Sequence, residues 1–293
     1  MNHVAKIPVK TWSTPFVDEE KRLIPCAICG GSSFRPSLSC EGFSYVRCVS
    51  CGLVQMNPQP LTEEIRHRYN TDYLAYETAN EEAFLNLQRL ALKDADFVEL
   101  EKTLLPKPAS GARPRVLDIG CAIGSLLALL RERGWVTTGV EISVPQAEYA
   151  RQKRNLDVLS LPLEENHFPA AFFNVVLASH LIEHLNDPSG LVREVRRILT
   201  PGGRFFVTTP NIAGFQARLF GSSWRSAIFD HLYLFSVNTL SRLLVENGFV
   251  VEKIATWGGL AAGTAPAPIK RIFDKAAKRF GFGDVMIIRA KKN

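Results

Sequence analysis

The sequence predicts an α/β protein with a mainly parallel, doubly wound sheet, preceded by a small cysteine-rich unit and a helical connector. Three observations lead to this fold class. Strand-like and helix-like segments alternate from Arg115 to the C-terminus, as in parallel sheets covered by helices. The segment VLDIGCAIGSLLALL at 116–130 reads as a buried strand that turns through glycines into a helix. Finally, five of the six cysteines lie between Cys26 and Cys51.

The elements of the α/β part follow from apolar runs and from amphipathic periodicity. Strands are expected at 115–119, 136–141, 173–179, 204–209, 249–257 and 285–290, and helices at 125–133, 145–154, 188–199 and 237–247. A parallel sheet binds its ligand beyond the carboxyl ends of its strands. We therefore expect the functional site at that edge.

Four units are predicted along the chain: an N-terminal arm at 1–22, the cysteine-rich unit at 23–60, a helical connector or lid at 61–105, and the α/β domain at 115–293. The 293 residues, 46% of them hydrophobic, suffice for one sizeable core and an accessory unit. No run approaches the roughly 18 uninterrupted apolar residues that a membrane span needs. The first residues also lack the apolar core of a signal peptide. A cytoplasmic enzyme is expected.

The net charge of +6 is concentrated at the C-terminus, because residues 269–293 hold eight Lys or Arg and two Asp. This distribution disfavours a nucleic-acid-binding surface along the whole chain. It predicts a basic amphipathic helix at 268–283 that packs on the sheet or, alternatively, lies on an anionic membrane surface. Its expected apolar side carries Ile269, Ile272, Phe273, Ala276 and Phe280.

The cysteine-rich unit predicts a zinc ribbon. Cys26, Cys29, Cys48 and Cys51 follow the spacing C-x2-C-x18-C-x2-C, in which two knuckles each offer two thiolates to a tetrahedral zinc ion. Four protein ligands leave no position for a substrate, so this zinc is structural. We expect zinc removal to unfold residues 23–60 and to leave the α/β domain folded. It carries few basic residues, which disfavours RNA as its partner.

The glycine turn is D-x-G-x-x-x-G, from Asp118 through Gly120 to Gly124, and lacks the middle glycine that makes room for a pyrophosphate. Glu141 ends the next strand, where a carboxylate can accept both ribose hydroxyls of an adenosine. An adenosine cofactor without phosphates fits this pattern better than a dinucleotide.

The motifs VLDIGCAIG, GVEIS and LTPGGRFFVTTPN resemble those of class I S-adenosylmethionine-dependent methyltransferases, over roughly residues 115–251. The resemblance implies a Rossmann-like methyltransferase sheet with an antiparallel last strand, and S-adenosylmethionine as cofactor. It also implies roles for residues: Asp118, Gly120, Cys121 and Gly124 around the methionine moiety, Glu141 on the ribose and Ile142 against adenine. The family often has an acidic residue near the adenine, and Leu161, Leu163 and Glu164 all remain open for that position.

The candidate catalytic residues are His180, Glu183 and His184 in ASHLIEHLNDP, and His231 in FDHLYLFS. These segments resemble the group that includes ubiquinone-pathway O-methyltransferases. Three interpretations stay open. His180 or His184 is a general base for a hydroxyl; the four residues bind a second divalent metal, as in small-RNA 2′-O-methyltransferases with a comparable pattern; or the histidines are structural.

The acceptor is predicted only by class. Residues 211–229 follow the fifth strand, and Phe215, Leu219, Phe220, Trp224 and Phe229 either line an acceptor pocket or belong to the core. We expect methyl transfer to a hydroxyl of a small-molecule, sugar (glycan) or lipid-linked acceptor. The alternatives are a metal-assisted RNA 2′-O-methyltransferase, a C- or N-methyltransferase, and a non-catalytic cofactor-binding protein.

Overall fold

The computed structural model describes residues 22–60, 71–105, 112–259 and 266–293. Nearly all of the predicted arm, the start of the connector and most of the linker lie outside the described residues. The cysteine-rich unit contains strands β1 (Phe34–Cys40), β2 (Phe43–Cys48) and β3 (Val54–Met56). The connector contains helices α1 (Thr71–Ala79), α2 (Glu81–Asp94) and α3 (Phe97–Leu104).

The α/β domain alternates strands and helices as predicted. Its elements are β4 (Arg115–Ile119), α4 (Ser125–Glu132), β5 (Val136–Val140), α5 (Val144–Arg154), β6 (Val158–Leu159), β7 (Phe173–Ser179), α6 (Pro188–Ile198), β8 (Leu199–Pro210), α7 (Phe215–Phe220), β9 (Tyr233–Leu234), α8 (Val237–Glu246), β10 (Phe249–Trp257), α9 (Ala267–Phe280) and β11 (Val285–Lys292). The strands β6 and β9 have two residues each, too short to give a periodic signal.

The seven-stranded sheet has the order β10-β11-β8-β7-β4-β5-β6. Strands β6, β5, β4, β7 and β8 are parallel, and β11 is antiparallel to both β8 and β10. The expected antiparallel last strand is therefore confirmed. The order reverses at β4, which lies between β5 and β7, so a cleft at the carboxyl ends of these strands is the place for a ligand.

Local sequence explains the elements that flank this edge. Helix α6 starts at Pro188, and the Asp187 side chain accepts from the backbone N–H of Gly190 at 2.7 Å, satisfying a donor that the first turn leaves free. At the start of β4, the Asn174 side chain accepts from the Arg115 N–H at 2.8 Å and so ties β4 to β7. The segment 180–187 is thereby held between an anchored strand and a capped helix.

The cysteine-rich unit shares its sheet and core with the α/β domain. Its sheet has the order β1-β2-β3-β9, and β9 comes from the α/β domain. Buried Tyr45 and Leu53 belong to the same hydrophobic cluster as Leu232 and Phe235. This shared core joins the unit to the α/β domain, and the selective unfolding of residues 23–60 on zinc removal stays a prediction.

The basic helix α9 packs on the sheet through a different face from the one expected. Ala277 is fully buried, and its carbonyl accepts from Oγ1 of Thr256 at 2.9 Å. Ile272 and Phe280 are 68% and 70% exposed, so they do not form the packing side; the side chain of Ile269 lies outside those described. Among the described residues, no helix combines the length and hydropathy needed to cross a membrane.

Candidate active site

The glycine turn after β4 contains three left-handed backbone positions, at Gly120 (φ 72°), Ala122 (φ 51°) and Gly124 (φ 76°). A Cβ on Gly124 would lie 2.5 Å from Cδ1 of Leu156, so this glycine permits close packing of the start of α4 against the segment around Leu156. A Cβ on Gly120 would meet nothing closer than Leu181 at 3.4 Å. Leu181 therefore covers this position at ordinary van der Waals distance, and glycine is favoured here by its left-handed backbone rather than by close packing.

Glu141 follows β5 and is held by two backbone donors. Its Oε2 accepts from the N–H of Ala122 at 3.0 Å, and its Oε1 accepts from the N–H of Ser143 at 2.8 Å. The first bond ties the carboxylate to the glycine turn and stabilises the left-handed Ala122. Each carboxylate oxygen has further lone pairs, so the group can accept from a vicinal diol while it holds the turn.

Asp118 and Glu77 lie buried near Glu141. Burial, reinforced by the charge of Glu141, raises the pKa of Asp118 to about 8 and that of Glu77 to about 8. Burial also raises the pKa of Glu141. Oδ2 of Asp118 and Oε2 of Glu77 have no hydrogen-bond partner among the described residues. Uncompensated buried acids of this kind fit a ligand that carries positive charge and donors, and S-adenosylmethionine carries a sulfonium and an ammonium.

The remaining cofactor candidates lie along the same edge. The Cys121 side chain is buried, and a Cβ on Gly139 would lie 2.6 Å from its sulfur, so the thiol serves packing. Ile142 is 40% exposed, as expected for a side chain that can cover a base. After β6, Leu163 is buried, whereas Leu161 and Glu164 are exposed. Of the three, Glu164 is the acidic residue, and its side chain is exposed.

His180 and Glu183 form a contact at the end of β7. Nδ1 of His180 lies 3.3 Å from Oε1 of Glu183; the imidazole is half-exposed and the carboxylate buried. His180 adopts a left-handed backbone (φ 52°), and its N–H donates to the Thr208 carbonyl of β8 at 2.9 Å. Strained backbone of this kind costs about 1–3 kcal/mol and persists where the surrounding structure determines it.

His184 and His231 complete the cluster around Glu183. Nδ1 of His184 lies 2.8 Å from the Asp230 carbonyl, and Nδ1 of His231 lies 2.8 Å from the Ser226 carbonyl. Since a carbonyl only accepts, we assign the proton to Nδ1 in each ring, which leaves Nε2 with its lone pair. The two ring centroids are 4.7 Å apart, and one ligand atom each from Glu183, His184 and His231 lie within 4.8 Å of one another.

The surroundings of this cluster favour an ionised Glu183 beside a neutral His231. Burial of Glu183 opposes its ionisation, but the neighbouring histidines, His180 foremost, hold its pKa at about 2. Burial and the neighbouring His184 lower the pKa of His231 to about 3, so this ring is neutral at physiological pH. Neither carboxylate oxygen of Glu183 has a well-aligned donor among the described residues. The structure brings all four predicted catalytic residues together, with an ionised carboxylate at their centre.

The four ribbon cysteines also converge. Their sulfurs lie within 4.8 Å of one another, with Cys26 to Cys51 at 3.3 Å and Cys29 to Cys48 at 3.5 Å. Zinc–sulfur bonds of about 2.3 Å in a tetrahedron place sulfurs about 3.8 Å apart, so the cluster fits zinc. Burial would raise the pKa of Cys48, but backbone donors, Cys51 foremost, lower it to about 7, which favours the thiolate that a metal requires.

The predicted acceptor residues lie in three different environments. Trp224 is fully buried, with its indole N–H donating to the buried Asp284 at 2.5 Å, and it serves the core. Leu219 and Phe220 are 60% and 44% exposed at the end of α7. Phe229 packs edge-on against Phe43 of β2 at 5.6 Å. Phe229 therefore helps to join the ribbon to the α/β domain, whereas Leu219 and Phe220 face solvent.

Sequence reasoning missed one residue of this site and two residues of the ribbon strands beside it. Glu77 lies in the connector, 41 positions before Asp118, without a motif around it. Tyr45 and Gln55 lie on ribbon strands that the cysteine spacing alone does not orient. Each becomes recognisable only when distant segments are brought together.

Comparison with known proteins agrees with this geometry. A family model described as a methyltransferase domain matches residues 77–254, which is more than half of the chain. Among curated proteins, the ubiquinone biosynthesis O-methyltransferase of Idiomarina loihiensis is 34% identical over 104 residues, which are 33% of this chain and 42% of that protein. The enzyme of the same name from Coxiella burnetii is 30% identical over 129 residues, which are 42% of this chain and 52% of that protein. The chain thus spans about half the length of these curated relatives.

Solved structures give the same fold. A S-adenosylmethionine-dependent methyltransferase of Thermotoga maritima, described as a possible histamine N-methyltransferase, superimposes with a TM-score of 0.57 at 24% identity, covering 80% of this chain and 100% of that one. The [4+2]-cyclase SpnF superimposes with a TM-score of 0.55 at 17% identity, covering 80% and 98%. These matches establish the fold alone, and the second carries a different named activity, so the reaction has to be argued from the site.

Proposed function

Because this chain belongs to the class I S-adenosylmethionine-dependent methyltransferases, we propose that it transfers a methyl group to a hydroxyl of a small-molecule, sugar or lipid-linked acceptor. The observation that carries the proposal is the pairing of two sites at one sheet edge. A buried acidic cradle at the ends of β4 and β5 lies beside the cluster of His180 and Glu183 that follows β7. The first suits a cationic adenosine donor, and the second suits activation of a hydroxyl.

The donor is held by residues of the glycine turn and its surroundings. Glu141 binds the ribose hydroxyls, and Asp118 and Glu77 face the positive charges of the methionine part. When bound, S-adenosylmethionine supplies a methyl carbon on a sulfonium, an activated leaving group. Holding an acceptor in line with that carbon can contribute roughly 7–11 kcal/mol, so most of the catalytic work of the chain is positioning.

His180 is the proposed general base. Its Nδ1 faces Glu183, and its half-exposed ring leaves Nε2 turned away from that contact. As the acceptor oxygen would bond to the methyl carbon and the carbon–sulfur bond would break to leave a neutral thioether, Nε2 of His180 would take the hydroxyl proton, and the buried carboxylate of Glu183 would stabilise the imidazolium. A base of this kind contributes about 10²–10⁴ in rate. His184 and His231 each place a ring nitrogen within 4.8 Å of a Glu183 carboxylate oxygen.

A divalent cation at Glu183, His184 and His231 is the second candidate for activating the hydroxyl. The observation in its favour is that both histidines donate Nδ1–H to backbone carbonyls and keep Nε2 available, while the buried carboxylate lacks an aligned donor. Carbonyl-oriented histidines are typical of metal ligands. A cation there would lower the pKa of the acceptor and replace the need for His180 as base.

Variants of His180 and Glu183 separate the two candidates. With the zinc-loaded protein and a panel of catechols, phenols and methyl glycosides, His180→Ala should lower kcat about 10²-fold or more, leave S-adenosylhomocysteine affinity unchanged, and regain activity with added imidazole. An unchanged kcat would exclude the base. Electron paramagnetic resonance with Mn²⁺ tests the cation: binding by wild type that Glu183→Gln abolishes supports it, and free Mn²⁺ in both refutes it.

Two observations support a hydroxyl as the acceptor. The curated relatives are named as O-methyltransferases, and the cluster offers a base or cation site that a hydroxyl needs and an amine requires less. RNA is disfavoured by the sparse positive charge of the ribbon. Detection of RNA binding with a steep salt dependence would reverse that preference.

We also propose a cytoplasmic location, where reducing conditions keep the ribbon thiols available to zinc.

A further inference from the structure

The ribbon strand β3 forms hydrogen bonds directly with the segment that carries His231. In the β3–β9 ladder, Val54 pairs with Leu234 and Gln55 with Tyr233. The N–H of Met56 donates to the Leu232 carbonyl at 2.8 Å, and the N–H of Leu232 donates to the Glu183 carbonyl at 2.8 Å. One backbone residue of this segment therefore bridges the ribbon to the catalytic cluster. We call residues 226–234 the His231 segment.

Tyr45 holds the same segment from strand β2. Its hydroxyl lies 2.7 Å from the Ile228 carbonyl and 2.8 Å from the His231 carbonyl, so its single proton is shared between them. The side chain is 1% exposed, and its ring packs edge-on against Phe43. A buried hydroxyl with two acceptors fixes the curvature of the segment between positions 228 and 231, which sets the direction of the His231 ring.

Gln55 connects the segment to the zinc knuckle. Its side chain is fully buried: Nε2 donates to the Pro25 carbonyl at 3.2 Å, and Oε1 accepts from the N–H of Ala27 at 3.3 Å. These two contacts bracket the zinc-ligand candidate Cys26, and the Gln55 backbone pairs with Tyr233. The position of the knuckle and the position of the His231 segment are thus linked through one residue.

We propose that Tyr45 and Gln55 are positioning residues through which the zinc ribbon sets the geometry of the His231 segment and hence of the acceptor side of the active site. The inference rests on the proposed function for its consequence on catalysis, although its structural part stands separately. Zinc bound to the four cysteines orders β2 and β3. Those strands hold the backbone that carries His231 and the Asp230 carbonyl to which His184 donates. The donor site, built on β4 and β5, contacts none of these residues through the bonds described.

The experiment compares Tyr45→Phe with Tyr149→Phe in zinc-loaded, full-length protein. Tyr149 lies on α5 with the Arg154 guanidinium over its ring, so its hydroxyl variant is a matched control outside the ribbon. Amide hydrogen–deuterium exchange of residues 226–234 should accelerate about tenfold in Tyr45→Phe and remain unchanged in Tyr149→Phe, because a tenfold change corresponds to about 1.4 kcal/mol, within reach of a lost buried hydrogen bond. Zinc content and S-adenosylhomocysteine affinity should match wild type within about twofold.

The kinetic readout separates positioning from mere stability. Tyr45→Phe should lower kcat about tenfold at unchanged KM for the donor and with a melting temperature close to wild type. Equal exchange and equal kcat in the two Phe variants would overturn the proposal. If Tyr45→Phe does not fold, wild-type protein before and after zinc removal provides the same test: exchange in the His231 segment must rise with zinc loss and fall on reloading, and a segment indifferent to zinc refutes the coupling.

Failure of the proposed function is distinguishable from failure of this inference. A wild-type protein that methylates none of the probes leaves the exchange measurements unaffected, and they still decide whether Tyr45 and zinc order the segment. Conversely, an active enzyme whose His231 segment ignores Tyr45 and zinc keeps the methyltransferase proposal and removes the coupling.

Discussion

Replacement of Asp118 by Asn should stabilise the cofactor-free protein. Burial raises the pKa of Asp118 from 3.8 to about 8, so at pH 7 the folded chain keeps this carboxyl protonated while the unfolded chain ionises it. The folded state therefore binds one more proton than the unfolded state between about pH 4 and pH 8, and its stability falls as pH rises through that window. At 1.36 kcal/mol per pH unit, the contribution at pH 7 is a destabilisation of about 4 kcal/mol. Asn is neutral in both states and avoids it.

The assay is urea denaturation of zinc-loaded, cofactor-free wild type and Asp118→Asn at pH 5, 6, 7 and 8. The stability difference in favour of the variant should grow by about 1.4 kcal/mol per pH unit and level off above pH 8. Asp157→Asn is the control, because Asp157 is exposed in the same domain and its variant should stay within about 0.5 kcal/mol of wild type. A variant that is less stable than wild type at pH 7, or a difference independent of pH, would refute the buried-acid interpretation.

The same variant should bind cofactor poorly. Asp118→Asn removes a carboxylate that a positively charged ligand would ionise, so S-adenosylmethionine affinity should fall about tenfold or more while stability rises. Opposite changes in stability and binding are expected where a protein retains a strained or uncompensated group for function. They would identify Asp118 as a binding residue rather than a residue of the core.

Four further predictions follow from individual contacts. Glu141→Gln should weaken S-adenosylhomocysteine binding about 10–100-fold by calorimetry, since charged hydrogen bonds to Ala122 and to the ribose are worth about 1.5–3 kcal/mol; affinity equal to wild type would remove Glu141 from the ribose site. Gly124→Ala should lower the free energy of unfolding by about 2 kcal/mol, because a left-handed backbone costs a β-carbon about 1–2 kcal/mol and this carbon would also meet Leu156 at 2.5 Å; an unchanged denaturation midpoint contradicts it. Glu183→Gln should make stability fall less steeply as the pH is lowered below 4.5. The folded-state pKa of Glu183 is about 2, so its ionised carboxylate stabilises the wild-type protein above pH 4.5, and this contribution is lost as the pH approaches 2; parallel curves for both proteins would argue against an ionised Glu183. The exposed Ile272 and Phe280 on basic α9 should bring the protein to anionic vesicles in flotation, at an affinity that Phe280→Ser reduces; protein left in the bottom fraction would exclude membrane contact through this helix.

The donor site and the acceptor side of the active site are supported by different parts of the chain, the α/β sheet and the ribbon. The donor site is built from the ends of β4 and β5, where parallel register pairs Asp118 with Gly139 and so brings Glu141, two residues after Gly139, to the same end of the sheet. The acceptor side is built from irregular segments after β7 and before β9, which have no register of their own. Irregular segments need external support to hold catalytic side chains, and β3 supplies it by pairing with β9.

Local sequence determined the alternating α/β fold, the glycine turn with Glu141 after the next strand, the four cysteines and the histidine motif, because each is encoded by residue type at short spacing. It did not determine how β3 pairs with β9, that Glu77 of the connector lies near Asp118, or that Tyr45 and Gln55 hold the His231 segment. Those relations join residues 40 to nearly 190 positions apart, and two-residue strands carry no periodic signal. Nor did it identify which face of α9 meets the sheet, since Ala277 fits the close contact with β10 and the larger apolar side chains do not. The tertiary structure alone decided these points, because burial and pairing of distant segments depend on the shape of the packed chain.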